Sequence, residues 1–384
     1  EPTSAAAPPR LSEGTILHKL MGAVVFRHAA QILLAQFLSL GRNHTLRLMR
    51  KLLRITTTLA LALVFTASMA FGQSNSSTVD QGTVSSTNNS EATVTQTGQD
   101  NSSTVSQQYG QLHEAIVEQV GDNNQNDLYQ DNTNTFADVY QEGENNISDI
   151  FQRSRKFFSS GADVSTVGLD QLGDGNEATV TQDAASPSDS KTNEATILQD
   201  GDGNEVELEQ YRLSNVGSDA SNSASIRQMG DNNSTDAYQD GRGHFLGEST
   251  TGNDNALEST QNGRFQYLDV LITGDMNETS STQSGAGNRT HLAISGNEND
   301  FTQDQSGSSN GVGASLTGDG NDVDIMQDGS DLKVIKSGSS PFQEDGVLIN
   351  GNNNTVDIDQ TGSMHRANVD VVGNGNTSTV SQSN

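Results

Sequence analysis

One short pattern of alternating residues recurs along nearly the whole chain, and it leaves room for few architectures. In Asn354–Gly362 the alternate residues are Asn354, Val356, Ile358, Gln360 and Gly362, the period of two of a strand with one buried face. Further copies run Asn321, Val323, Ile325, Gln327, Gly329; Asn193, Ala195, Ile197, Gln199, Gly201; and Asn222, Ala224, Ile226, Gln228, Gly230. Only 31% of the residues are hydrophobic and the net charge is −29, a composition that ordinarily signals disorder. A disordered chain has no reason to keep a register, so the periodicity decides.

The Gln positions and their equivalents form a ruler: 81, 96, 107, 119, 130, 141, 152, 171, 182, 199, 210, 228 and 239, then every eleventh residue from 250 to 327, a disturbance at 336 and about 349, and finally 360, 371 and 382. This reads as 26 units. Thr250, Ile272, Ile294, Leu316, Lys336 and Val371 stand where Gln is expected, yet Gly252, Gly274, Gly296, Gly318, Gly338 and Gly373 follow two residues later. Each unit is a strand followed by a turn rich in Gly, Asn and Asp, such as Gly121-Asp122-Asn123-Asn124 or Gly318-Asp319-Gly320-Asn321, residues that accept positive φ.

Two facing strands make a rung of about 22 residues, and stacked rungs share a core that no single rung could build. The expected fold is an all-β solenoid of two-strand rungs with two parallel, in-register sheets, roughly 13 rungs and on the order of 60 Å long, after an N-terminal helical leader or signal segment. Pairing 96 with 107, 119 with 130, 141 with 152, 171 with 182, 199 with 210 and 228 with 239 puts 11 residues inside every pair and all the longer gaps between pairs. The insertions should therefore lie along one edge.

Inward Asn and Gln would be costly alone. In a stack each meets its equivalent one rung away, and the amides can form an axial hydrogen-bonded ladder that also penalises a register slip. The expected ladder residues are Asn101, Gln107, Asn176, Gln182, Asn193, Gln199, Asn204, Gln210, Asn222, Gln228, Asn321, Gln327, Asn354, Gln360, Asn376 and Gln382. His113, His244 and His365 occupy Asn positions and are read as structural.

Residues 1–48 lack the repeat and are read as an upstream or leader segment. Met49 opens a secretory signal, 49–72: Arg50, Lys51 and Arg54 precede the apolar run Leu59–Phe65, and small residues allow cleavage after Ala70 or Gly72. The repeat region is 73–384. Of the 20 basic residues 8 lie before residue 73, as do 2 of the 49 acids, so the remainder carries 12 − 47 = −35. That charge argues against nucleic acid as a partner, and the absence of Cys excludes disulfides and thiolate metal sites. No later segment resembles a membrane span.

The pattern Asn176, Ala178, Val180, Gln182, alternating with Ser165, Val167, Leu169, Gln171, Gly173, resembles the repeats of curlin, the subunit of curli amyloid fibres, over nearly all of 75–384. The resemblance implies a structural protein, not an enzyme. It would be exported through the periplasm of a Gram-negative-type bacterium and a dedicated outer-membrane pore, then assembled extracellularly into fibres for cell adhesion and biofilm matrix. Its partners would be its own copies, related curlin subunits, the secretion and nucleation machinery, and host or abiotic surfaces. The chain departs from the family in its larger number of repeats, its acidity, and the lack of an obvious Gly-rich segment after the signal.

No catalytic constellation and no cofactor or metal site stands out. The alternative reading is a monomeric acidic solenoid that binds calcium or glycans at the cell surface, with the Gly-Asp turns as calcium ligands. One further candidate is the basic-aromatic insertion Arg153, Arg155, Lys156, Phe157, Phe158, a docking element on the decorated edge.

Overall fold

Strand Thr355–Ser363 shows how one unit is built. Asn354, Val356, Ile358 and Gln360 point inward and are fully buried, while Asp357 and Asp359 turn outward. The strand lies parallel between Asp322–Ser330 and Thr377–Ser383, so that Gln327, Gln360 and Gln382 form one column and Val323, Val356 and Ser378 another. Each fully buried Val, Ile or Leu contributes roughly 1.5–3 kcal/mol. Repetition of one inward set makes these contributions into continuous columns.

The computed structural model describes residues 74–82, 89–154, 165–184, 193–212, 221–335 and 346–384. The expected leader and signal segment, residues 1–72, lies outside them. The described residues form strands and turns with no helix. They build a β-solenoid of two parallel, in-register sheets.

The first sheet runs through the strands holding Gln81, Gln107, Gln130, Gln152, Gln182, Gln210, Gln239, Gln261, Gln283, Gln305, Gln327, Gln360 and Gln382. The second runs through those holding Gln96, Gln119, Gln141, Gln171, Gln199, Gln228, Thr250, Ile272, Ile294, Leu316, Ile349 and Val371. Two long strands, Ser102–Asp122 and Gln125–Glu144, bend around the edge from one sheet to the other.

Among the described residues there are thus thirteen strand positions in the first sheet and twelve in the second, one fewer than the 26 units of the sequence reading. Lys336 and Gly338, which mark one of those units, lie outside the described residues. Lys333–Val334 pairs with Gly311–Val312, and Val347–Asn350 pairs with Ala314–Thr317. Both flanks of residues 336–345 therefore belong to one strand position against the single partner Gly311–Thr317, and Gly346 N donates to Gly313 O at 2.8 Å.

The other long connections, 155–164, 185–192 and 213–220, each leave a first-sheet strand and lead into a second-sheet strand. The opposite edge is uniform. There each second-sheet strand ends in Gly-x-x-Asn, with positive φ at the Gly and at the third residue: +116° at Gly121 and 59° at Asn123, +111° at Gly173 and +68° at Gly175. A Cβ on Gly121 would lie 2.0 Å from Gly143 O, so the stacking of the turns, as well as φ, demands glycine. This explains why Gly252, Gly274, Gly296, Gly318 and Gly373 persist where Gln does not.

Candidate assembly core and surfaces

The first-sheet glutamines form an unbroken ladder. Gln81 Nε2 donates to Gln107 Oε1 at 2.8 Å, Gln182 to Gln210 at 2.9 Å, Gln327 to Gln360 at 2.8 Å and Gln360 to Gln382 at 2.7 Å. The second amide proton crosses the core to a backbone carbonyl of the other sheet: Gln107 reaches Glu91 O at 2.9 Å and Gln182 reaches Thr166 O at 3.0 Å. Both donors are satisfied, so the buried amide is stabilised and ties the two sheets together.

The second-sheet ladder is shorter. It runs from Gln96 through Gln119, Gln141 and Gln171 to Gln199 and Gln228, the last step being 3.2 Å. Gln228 then donates to Thr235 Oγ1 at 3.0 Å. Beyond it the column is Thr250, Ile272, Ile294, Leu316, Ile349 and Val371. The chain changes from two glutamine columns to one.

Asn101, Asn176, Asn204, Asn321, Asn354 and Asn376 lie in a third column at the uniform edge, with opposite polarity. Asn204 Nδ2 donates back to Asn176 Oδ1 at 3.1 Å, and that oxygen also accepts Asn204 N–H at 3.0 Å; Asn376 does the same to Asn354 at 2.9 and 3.0 Å. Asn193 and Asn222 are elsewhere, at the decorated edge. They donate to backbone carbonyls, Asn193 to Gln210 O at 2.8 Å and Asn222 to Tyr211 O at 3.2 Å. Their column continues through His244, Gln266, Asn288, Asn310 and Leu332.

The residues after the turn glycines, Asp or Asn at all but Gln99 and Glu144, form a fourth column. Asp174 N donates to Asp202 Oδ1 at 2.9 Å, and Asp202 N to Asp231 Oδ1 at 3.0 Å. Inter-rung bonding, beyond turn propensity, accounts for the acids of the Gly-Asp turns.

The core of the second sheet carries the most unusual buried group. Glu248 occupies an inward position between Ile226 and Val270. Its carboxyl accepts from Thr235 Oγ1 at 2.8 and 2.9 Å and from Thr250 Oγ1 at 2.8 Å. Burial pushes it up to about 7, against the lowering effect of the two hydroxyls. Nearby His244 is held down at about 4 by burial; its Nδ1 accepts from Gln266 N at 3.4 Å and its Nε2 faces Asp240 O at 3.1 Å. Glu248 was overlooked in the sequence, although an acid at inward parity between Leu246 and Thr250 is a readable signal.

The outer face of the first sheet is acidic. Burial, then the neighbouring carboxylates Glu278, Asp322 and Asp324, raise Asp300; burial, then Asp357 and Asp322, raise Asp324. Arg153 is engaged on this face. It bridges Asp131 at 3.2 Å and Asp183 at 3.4 Å, one on each neighbouring rung, and lies 5.0 Å over the Phe151 ring, which stacks on Tyr129. Arg155, Lys156, Phe157 and Phe158 lie outside the described residues.

Against known families, the curlin associated repeat matches the chain at residues 87–121 and 351–383. These two stretches lie near opposite ends of the solenoid and include Gln96, Gln119, Gln360 and Gln382. Over these two stretches the chain is similar to the curlin associated repeat. No curated protein matches the chain. The curlin repeat suggests a curli-type subunit, and the described strands between the matched stretches keep the same two-sheet register. Among the described residues no three His, Asp or Glu side chains gather as a metal-binding group.

Proposed function

We propose that the chain is a secreted structural subunit that self-assembles end to end into extracellular curli-like amyloid fibres for cell adhesion and biofilm matrix. In this reading 1–48 is a leader, 49–72 a secretory signal, and 73–384 the assembling body, delivered through a curli-type secretion and nucleation machinery. The ladder residues then act as links in axial columns that extend between chains as well as within one.

The observation that carries this reading is the repetition itself: parallel strands held in register, with the first-sheet glutamines joined amide to amide from Gln81 to Gln107 at 2.8 Å through to Gln360 and Gln382 at 2.7 Å. Each rung offers the next the same row of backbone groups and the same amide, the arrangement by which cross-β stacks grow.

Release of the purified repeat region from denaturant, followed by electron microscopy and an amyloid-dye assay, tests the proposal. Unbranched dye-binding fibres are expected. Persistent dye-negative monomers would favour the monomeric surface-binding solenoid instead.

A further inference from the structure

Over the rungs from Ser223–Met229 to Val369–Val372 the two outer faces of the solenoid carry opposite charge. On the first sheet, from the start of each strand to the residue after its ladder glutamine, the outward positions of strands Ser234–Arg242 through Thr355–Ser363 hold eleven Asp or Glu and no Lys or Arg. The second sheet differs. Among the described residues its outward positions hold Arg227, Arg289, Lys333 and Arg366 against two acids, Asp269 and Asp370. Asp269 is engaged on its own face, accepting from Tyr267 Oη at 3.3 Å and lying 3.6 Å from His291.

Three of the cations share one column. Arg289 pairs with Gly311, Gly311 with Lys333 and Lys333 with Arg366, so the column advances at the rung spacing of about 4.8 Å. The stem of Lys333 lies over Gly311, where an added Cβ would stand 3.2 Å from its Cδ. On the first sheet Glu278, Asp300 and Asp322 form a column of acids with the same repeat. A match between cation and acid at one rung therefore extends to the next.

The cationic face is also apolar. Leu271, Leu348 and Val372 are exposed on it, and Phe245 stacks on Tyr267 at 4.9 Å. Its strand positions, up to seven residues long and spaced as parallel strands, cover roughly 700–800 Å², about what each partner contributes to a stable interface of standard size.

We infer that this cationic face is the docking surface for the acidic first-sheet face of a second copy, so that copies pack side by side, sheet on sheet. At about 10 Å between facing sheets, Arg and Lys side chains reach the carboxylates of the neighbour. One exposed ion pair contributes little; a row of them beside exposed Leu decides which faces meet. The contact is heterologous and does not close: each copy offers its acidic face to one neighbour and its cationic face to another, which builds layered ribbons. It is independent of how copies join along the axis.

Zero-length carbodiimide coupling reads this contact directly, because within one copy Lys333 and the first-sheet carboxylates lie on opposite sides of the core. The purified chain, and an Arg289→Lys/Arg366→Lys variant with more amines in the same column, are coupled at low salt and mapped by mass spectrometry. Links from Lys333 to Glu278, Asp300, Asp322 or another acid of that face are expected, and about 0.5 M salt should cut them about fivefold. Links confined to Asp331, Asp269 or Asp370, or none at all, overturn the proposal.

Charge reversal supplies an independent measurement. Arg289→Glu/Lys333→Glu/Arg366→Glu alters outward positions alone and should narrow the assemblies seen by electron microscopy at low salt about twofold, with axial growth little changed. Unchanged width overturns the docking face. Copies that couple through Lys333 yet form no fibres keep the side-by-side contact and remove the end-to-end reading. Narrow fibres without such coupling do the reverse.

Discussion

Gln261 accepts the Nε2–H of Gln239 at 2.8 Å and passes its own to Gln283 at 3.0 Å, so each amide in the first-sheet column is both donor and acceptor to its equivalents. The same side chain reaches Phe245 O across the core at 2.9 Å. Truncating it removes three bonds and strands two partners.

Gln261→Ala should therefore destabilise the chain by about 2–4 kcal/mol, the unpaired buried amides adding to the cavity. Ile272→Gln, in the aliphatic part of the second-sheet column, should also cost about 1–3 kcal/mol, because Thr250 and Ile294 cannot complete an amide ladder. Chemical denaturation of both variants, followed by circular dichroism, checks the pair. A neutral Ile272→Gln would mean that the columns tolerate amides without amide neighbours.

Glu248 binds its proton more tightly in the folded chain than in the unfolded one, about 7 against an ordinary 4.5. Its stabilising contribution is complete below about pH 4.5 and is lost as pH rises through 7, a span of at most about 3 kcal/mol. His244 acts in the opposite direction: held near 4 against 6.5, it withdraws stability as pH falls from 6.5 to 4. The two partly cancel between 4.5 and 6.5. Glu248→Gln should abolish the loss between 4.5 and 7 and leave the acid-side decline of His244 uncovered, as measured by unfolding free energy against pH.

Gly274→Ala places a Cβ 1.9 Å from Gly296 O at φ +130°, whereas Gly175, at φ +68°, has nothing within 4 Å of that position. Gly274→Ala should cost more than about 2 kcal/mol, and Gly175→Asn less than about 1 kcal/mol. Thermal melts of the two variants distinguish a packing requirement from a dihedral one.

The acidic face opposes close approach of copies. Carboxylates on successive rungs lie within one Debye length, and burial with mutual repulsion already raises Asp149, Asp300 and Asp324. Added salt, divalent cations or mild acid should each shorten the lag before fibre growth. A lag indifferent to all three would show that charge does not govern assembly.

Much of this was legible in the residues themselves. Period-two alternation and the 11-residue step reveal strands, inward columns and two parallel sheets, because burial repeats with the pleat. The spacing could not show that Lys333–Val334 and Val347–Asn350 share the one partner Gly311–Thr317, because a count of residues does not say which strands become neighbours. Asn193 and Asn222 share the spacing of Asn176 and Asn204, yet they face the edge where connections vary in length, and backbone carbonyls serve as their partners.

The sequence by itself determined the repeating strand, its register and the identity of its inward residues, since these follow from local periodicity. Only the tertiary structure decided the direction of each amide ladder and the burial of Glu248 where the second glutamine column ends. Those features depend on which strands become neighbours, and strand neighbours here are 22 or more residues apart in the chain.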